Sequence, residues 1–144
     1  VQAGCDYLSD ESVGLLPDSL SLTTYLKPAA LSSESREALA LPSESNGMTS
    51  VCELRNDVVL LEGAPGPPSE ILLPRYAPNG PAHLSERIGP REALRELLAN
   101  AHNLGRAGGV GLEALARAAE TIPVSRLTYC DARTVAVSLL TTSR

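Results

Sequence analysis

The stretch that decides the fold is residues 89–129, GPREALRELLANAHNLGRAGGVGLEALARAAETIPVSRLTY. It opens with Gly89-Pro90, and proline suits the first position of a helix because an N–H group would have no helical partner there. Apolar residues then recur at helical spacing, and Gly105 is a typical C-terminal cap. We therefore predict a helix from Pro90 to about Leu104. The apolar residues of its buried face are Leu94, Leu97, Leu98, Ala101 and Leu104.

A second helix is predicted from about Gly111 to Ile122, where Pro123 ends it. Glu113 and Arg117 lie four residues apart, which is the spacing of an ion pair on an exposed helical face. The small residues at 106–110 allow a sharp connection, so the two helices should form a helical hairpin. The apolar residues of the second helix are Leu112, Leu115, Ala116, Ala119 and Ile122.

Strand signals precede the helices. Residues 49–54 and 58–62 are rich in valine and leucine and flank a turn near Asn56-Asp57, which predicts a β-hairpin. A short strand is predicted at 71–73. The prolines at positions 74, 78 and 81 then predict an extended loop, because proline donates no backbone hydrogen bond.

Strand signals also follow the helices. Residues 125–129 and 134–141 are separated by a turn near Asp131-Ala132, and in the second segment valine and leucine alternate with threonine, alanine and serine. Two hairpins around a helical hairpin predict an α+β fold, with an antiparallel sheet and helices packed on one face. We assign this α+β core domain to residues 48–144.

Residues 1–47 are predicted to form an extended N-terminal arm. The arm is rich in serine and acidic residues, with a short strand signal at 20–26 and a short helix signal at 32–41. Polar arms fray unless something holds them. We therefore expect the arm to rest on its own domain or on a neighbouring molecule.

Charge is distributed unevenly along the 144 residues. Residues 1–72 carry 3 basic and 11 acidic side chains, which gives −8, and residues 73–144 carry 9 basic and 6 acidic side chains, which gives +3. Opposite charges on the two halves favour oriented association between copies of the chain. The overall net charge of −5 argues against direct nucleic-acid binding.

Arginine spacing predicts a partner interface. Arg87, Arg91 and Arg95 are spaced by four residues and are expected to line one helical face, with Arg75 joining from the preceding loop. We expect this face to bind an acidic arm of the same or a neighbouring subunit, although interleaved glutamates make a solvated face the alternative. The full predicted interface is Arg75, Arg87, Arg91, Arg95, Leu20, Leu22 and Tyr25.

Catalytic signals are weak. Cys130 with His83 or His102 supplies the residue types of an activated thiolate. The three cysteines and two histidines lack metal-ligand spacing, so we expect neither a metal nor a cofactor. The glycine-rich segment 105–111 follows a helix and has no lysine after it, which favours a plain interhelical turn over a phosphate-binding loop.

These observations predict a structural protein. Aromatic residues make up 3% of the chain and all are tyrosine, which disfavours a ligand pocket. The expected class is a small virion component, namely a capsid, decoration or head–tail protein of a virus or phage. It would be assembled in the host cytoplasm as a homo-oligomer with other structural proteins and without a membrane. The alternatives are a small α+β cysteine enzyme and a non-catalytic subunit of a large cellular complex.

Overall fold

A computed structural model describes residues 8, 12–23, 29–30, 36–37, 48–49 and 65–142 of the chain. The predicted hairpin over 49–62 lies outside these residues except for its first position. Tyr25 and most of the predicted arm helix lie outside them as well.

The chain divides into two compact units. One comprises Val1–Gly14 and Thr23–Pro65, and the other comprises Leu15–Leu22 and Gly66–Arg144. In the first unit, the described residues include two short antiparallel strands, β3 (Ala29–Ala30) and β4 (Met48–Thr49). Two further short strands, β1 (Gly14–Leu15) and β2 (Leu22–Thr23), pair with each other.

A three-stranded mixed sheet forms the centre of the second unit. Its strands are β5 (Ile71–Tyr76), β6 (His83–Arg87) and β7 (Val124–Tyr129), in the spatial order β5-β7-β6. β5 runs parallel to β7 with Ile71 opposite Val124, whereas β6 runs antiparallel to β7 with His83 opposite Tyr129.

Three helices belong to the described part of this unit: α1 (Pro90–Ala99), α2 (Leu104–Thr121) and α3 (Ala132–Thr142). Pro90 is the first residue of α1, and the backbone N–H of Asn100 closes its last turn. α2 is kinked at Gly108, where φ is +57° and a residue with a Cβ atom would be strained.

α1 and α2 pack on one face of the sheet through small side chains. Ala93 and Ala119 meet Ile88 and Val124 in a buried cluster, so each helix backbone approaches the strands closely. Val124 faces the helices, and its register partner Ile71 on the parallel strand β5 faces the same side of the sheet. Because side chains alternate along a strand, Leu73 and Arg75 also lie on the helix side.

The loop between β1 and β2 packs on α2. Leu20 is 7% exposed and contacts Ala114, Ala118 and Ile122, although its φ of +57° is unusual for a leucine. The side chain of Arg117 donates a hydrogen bond of 2.9 Å to the carbonyl oxygen of Asp18. These contacts hold residues 15–22 of the predicted arm against α2, within the second unit.

The α+β class is confirmed, but several details of the prediction are wrong. The sheet is mixed, because β5 is parallel to β7, and it is not assembled from two hairpins. Residues 134–141 lie in α3 rather than in a strand, since Asp131 caps a helix there. β6 occupies a segment for which no strand was predicted.

The predicted helix boundaries also need correction. α1 ends at Ala99, and residues 104–107 begin α2 instead of ending the first helix. The glycine-rich segment 105–111 does contain the predicted break between two helical stretches, because Gly108 has non-helical backbone angles (φ 57°, ψ −141°), but residues on both sides of Gly108 are helical, so the break is a kink and not a longer turn. Arg87 lies on β6, so only Arg91 and Arg95 share the helix on which three arginines were predicted.

We expect Ala93→Leu to lower the free energy of unfolding by about 1–3 kcal/mol, because overpacking a filled core forces neighbouring atoms to move. Ala93 is 0% exposed, so a larger side chain has no route to solvent. Urea denaturation provides the measurement. Ala99→Leu, on the exposed end of the same helix, is the matched control, and equal stability of the two variants would contradict this packing.

Candidate functional site

Backbone groups of β7 alternate between its two neighbours. The N–H of Ile71 bonds to the carbonyl of Pro123, and the N–H of Ile88 bonds to the carbonyl of Val124. The backbone groups of consecutive β7 residues therefore point alternately toward β5 and toward β6. With β7 paired on both sides, β5 and β6 are the two edges of the three-stranded sheet.

The outer edge of β5 is blocked by proline. Because Ile71 and Ala77 both donate toward β7, the residues between them alternate, and Pro74 lies at a position that faces away from β7. Proline has no N–H there to donate. This position keeps the bonds with β7 intact and interrupts any ladder that another strand could form with β5.

The outer edge of β6 carries no proline. Ile88 donates toward β7, so Glu86 and Leu84 also face β7, and the N–H and C=O groups of His83, Ser85 and Arg87 face outward. In the described ranges no strand pairs with this edge. All five side chains of β6 are exposed. The geometry is that of an edge to which an additional strand can bind.

A charged cluster joins the centre of the sheet to α1. The Arg126 guanidinium Nη2 lies 2.6 Å from Glu92 Oε1 and 3.2 Å from Glu96 Oε1. The hydrogen bond to Glu92 first, and then that to Glu96, raise the pKa of Arg126 above its ordinary value. Arg95 approaches the same two carboxylates at 3.7 and 3.8 Å. The cluster positions α1 over β7.

Beside this cluster lies an open groove of about 500 Å³ on the helix side of the sheet. Arg75 and Glu86 are exposed on its wall, and neither makes an ion pair with another described residue. Exposed Leu84 borders the same groove. Among the described side chains that line it, no nucleophile is held by a base.

The residues predicted as an interface are separated in the fold. Arg91 is exposed and Arg95 is engaged by glutamates on α1, whereas Arg75 and Arg87 lie on different strands. Leu20 is buried in the core and Leu22 is half-buried. Of the six members of the predicted set that the structure describes, Arg87 alone lies on the β6 edge. The other edge residues, His83 and Ser85, were not predicted as interface residues because no sequence signal marked this segment as a strand.

Among the described residues, no hydrogen bond joins Cys130 to His83 or His102, the predicted catalytic candidates. Cys130 is a half-buried free thiol that follows β7. The ring of His83, on β6, lies 3.3 Å from the hydroxyl of Ser138 on the surface. Among the residues that the structure describes, no carboxylate orients that imidazole. His102 is exposed in the connection between α1 and α2.

Asp131 has a structural role. Its carboxylate accepts hydrogen bonds from the Thr134 hydroxyl at 2.8 Å and from the Arg133 N–H at 2.9 Å, as the N-cap of α3. The Thr134 bond first, and the Arg133 bond next, lower the pKa of Asp131. The described residues contain no group of three potential metal ligands.

Comparisons with protein-family models, with curated proteins and with solved structures found no match for this chain. None of the helices that the structure describes has both the length and the apolar character needed to cross a membrane. Function must therefore be argued from the geometry of the second unit.

We expect Glu92→Gln to lower the midpoint of urea denaturation slightly, because it weakens the shortest bond of the Arg126 cluster. The loss should shrink in about 1 M salt, where charges are screened over about 3 Å. Glu113→Gln, on the exposed side of α2, is the matched control. A loss of the same size at low and high salt would show that charge is not the cause.

We expect Asp131→Ala to speed amide hydrogen exchange in the first turn of α3, whereas Asp131→Asn should retain most of the protection through its carbonyl oxygen. A lowered folded-state pKa means that the carboxylate stabilises α3 above its ordinary pKa and loses this effect as pH falls through the folded-state value. Because the intrinsic exchange rate itself slows in acid, the comparison uses protection factors, which in α3 should fall in acid for the native chain but not for Asp131→Ala. Identical acid dependence in both proteins would contradict the cap.

Proposed function

We propose that this chain is a structural assembly protein that joins copies of itself and other structural proteins by strand pairing at the outer edge of β6. The observation that carries this proposal is the contrast between the sheet edges. Pro74 closes β5, whereas His83, Ser85 and Arg87 direct their backbone groups outward from β6. Backbone pairing supplies binding energy at such an edge without requiring a pocket.

Exposed apolar side chains support an assembly role. Tyr76 is 62% exposed and Leu84 is 55% exposed, and these two residues lie on the outer strands of the sheet. Tyr76 also contacts Tyr129 with ring centroids 5.8 Å apart, which holds the aromatic surface in place. Of these two residues, Leu84 lies on the β6 edge strand, where apolar surface marks an interaction site, whereas Tyr76 lies on the far side of β7.

A virion component is the specific class we propose, with assembly in the host cytoplasm. The support is compositional. A chain with 3% aromatic residues and oppositely charged halves is suited to repeated protein–protein contacts more than to binding a small substrate. Edge pairing between subunits is one way in which repeated contacts build a larger assembly.

We expect the native chain to associate with increasing concentration and Ser85→Pro to abolish this association, as measured by light scattering. Proline at 85 removes an outward N–H and leaves the bonds to β7 in place, as Pro74 does in β5. Glu86→Pro is the matched control, because the Glu86 N–H faces β7 and its removal should destabilise the fold.

Ser85→Lys provides a second variant in case proline distorts β6, since charged side chains on a strand edge also block pairing. Circular dichroism and urea denaturation should show that Ser85→Lys folds like the native chain. A monomer at every concentration, or undiminished association of a folded Ser85→Pro or Ser85→Lys variant, would overturn the proposed function.

A further inference from the structure

We infer that the strand bound at the outer edge of β6 is β6 of a second copy, antiparallel and related by a two-fold axis at Ser85. This inference rests on the proposed function and names its partner. The outward backbone groups belong to His83, Ser85 and Arg87, which are placed symmetrically about the middle residue. A strand with this symmetry is complementary to itself.

The hydrogen-bonding pattern selects the register. An antiparallel ladder joins outward-facing residues to outward-facing residues. Pairing Ser85 with its own copy places His83 opposite the partner's Arg87 at both ends, and every outward N–H and C=O group of β6 is then used. A shift of the partner strand by one residue places the outward-facing groups of one copy opposite Leu84 and Glu86 of the other, whose backbone groups are bonded to β7. A shift of two residues leaves one end of each strand without a partner.

Charge favours antiparallel over parallel pairing. With Ser85 opposite itself, each Glu86 faces the partner's Leu84, and the two glutamates lie on a diagonal about 7–8 Å apart. Arg126 lies opposite Glu86 on β7 within each copy, but its guanidinium is bonded to Glu92 and Glu96. The two Arg87 side chains lie at opposite ends of the ladder. By contrast, parallel pairing in register would place Glu86 beside Glu86 and Arg87 beside Arg87.

Strand length sets the strength of this contact. Stable interfaces bury on the order of 1,200–2,000 Å². A five-residue strand is too short to supply that area from its ladder alone. We therefore expect a weak dimer, with dissociation constants in the micromolar range or weaker, that gains strength only when further contacts in an assembly act together with it.

The test is a charge swap at the two-fold axis. Ser85→Lys and Ser85→Glu each place like charges directly opposite one another, with Cα atoms about 5.5 Å apart. We expect each variant alone to dimerise about fivefold more weakly than the native chain or worse, and an equimolar mixture to recover dimer formation. Sedimentation velocity measures both effects.

Leu84→Lys is the control for register, because it places an ammonium group opposite the partner's Glu86 at both ends. Because any charged side chain at position 84 removes the apolar contact of Leu84, Leu84→Lys is compared with Leu84→Glu, which places a carboxylate opposite the partner's Glu86. Leu84→Lys should dimerise more strongly than Leu84→Glu. Urea denaturation checks that all four variants remain folded. Recovery in the Lys–Glu mixture together with stronger dimerisation of Leu84→Lys than of Leu84→Glu supports the inference.

The failures of the two proposals are distinguishable. If association is abolished by Ser85→Pro but the Lys–Glu mixture recovers nothing, the β6 edge binds other strands and the two-fold dimer is overturned. If folded Leu84→Lys dimerises no more strongly than folded Leu84→Glu, the register is wrong. If Ser85→Pro is folded and leaves association unchanged, the proposed function and this inference fail together.

Discussion

The structure of the second unit depends on the pairing of β7 with a strand on each side. The bonds from Ile71 to Pro123 and from Ile88 to Val124 fix the direction of every backbone group in the sheet. They also determine which side chains of the sheet face the helices. Val124 packs under α1 and α2, so Ile71, its register partner on β5, faces the helix side as well. The same alternation decides which groups of β5 and β6 face outward. The pairing of β7 therefore determines both the packing of the helices on the sheet and the backbone groups that are available at the β6 edge.

The start of α1 and the strand β7 could be predicted from short stretches of sequence alone. Pro90 marks the start of α1, and residues 125–129 lie in β7. The sequence His83–Arg87 has no apolar alternation, because all five side chains of β6 are exposed, so only pairing with β7 identifies it as a strand. In α3, alternating valines predicted a strand, but Asp131 caps the first turn and residues 132–142 form a helix. The N-cap was the signal that could have identified α3.

The predicted interface shows why side-chain spacing alone is insufficient. Arg91 and Arg95 follow helical spacing, but Arg95 lies against Glu92 and Glu96, and Arg87 belongs to a different element. Leu20, which was predicted to contact a partner, packs against Ala114 and Ala118 of α2. An edge of a sheet is defined by strand order, and strand order is a property of long-range pairing. The β6 edge could not have been found without the fold.

Amide hydrogen exchange within β6, followed residue by residue at low and high protein concentration, tests the central claim most directly. The Leu84 and Glu86 amides face β7, so their exchange should be slow at both concentrations. The Ser85 amide faces outward, so its exchange should be fast in dilute solution and slow when the chain is concentrated. A Ser85 exchange rate that does not change with concentration would contradict strand pairing at this edge.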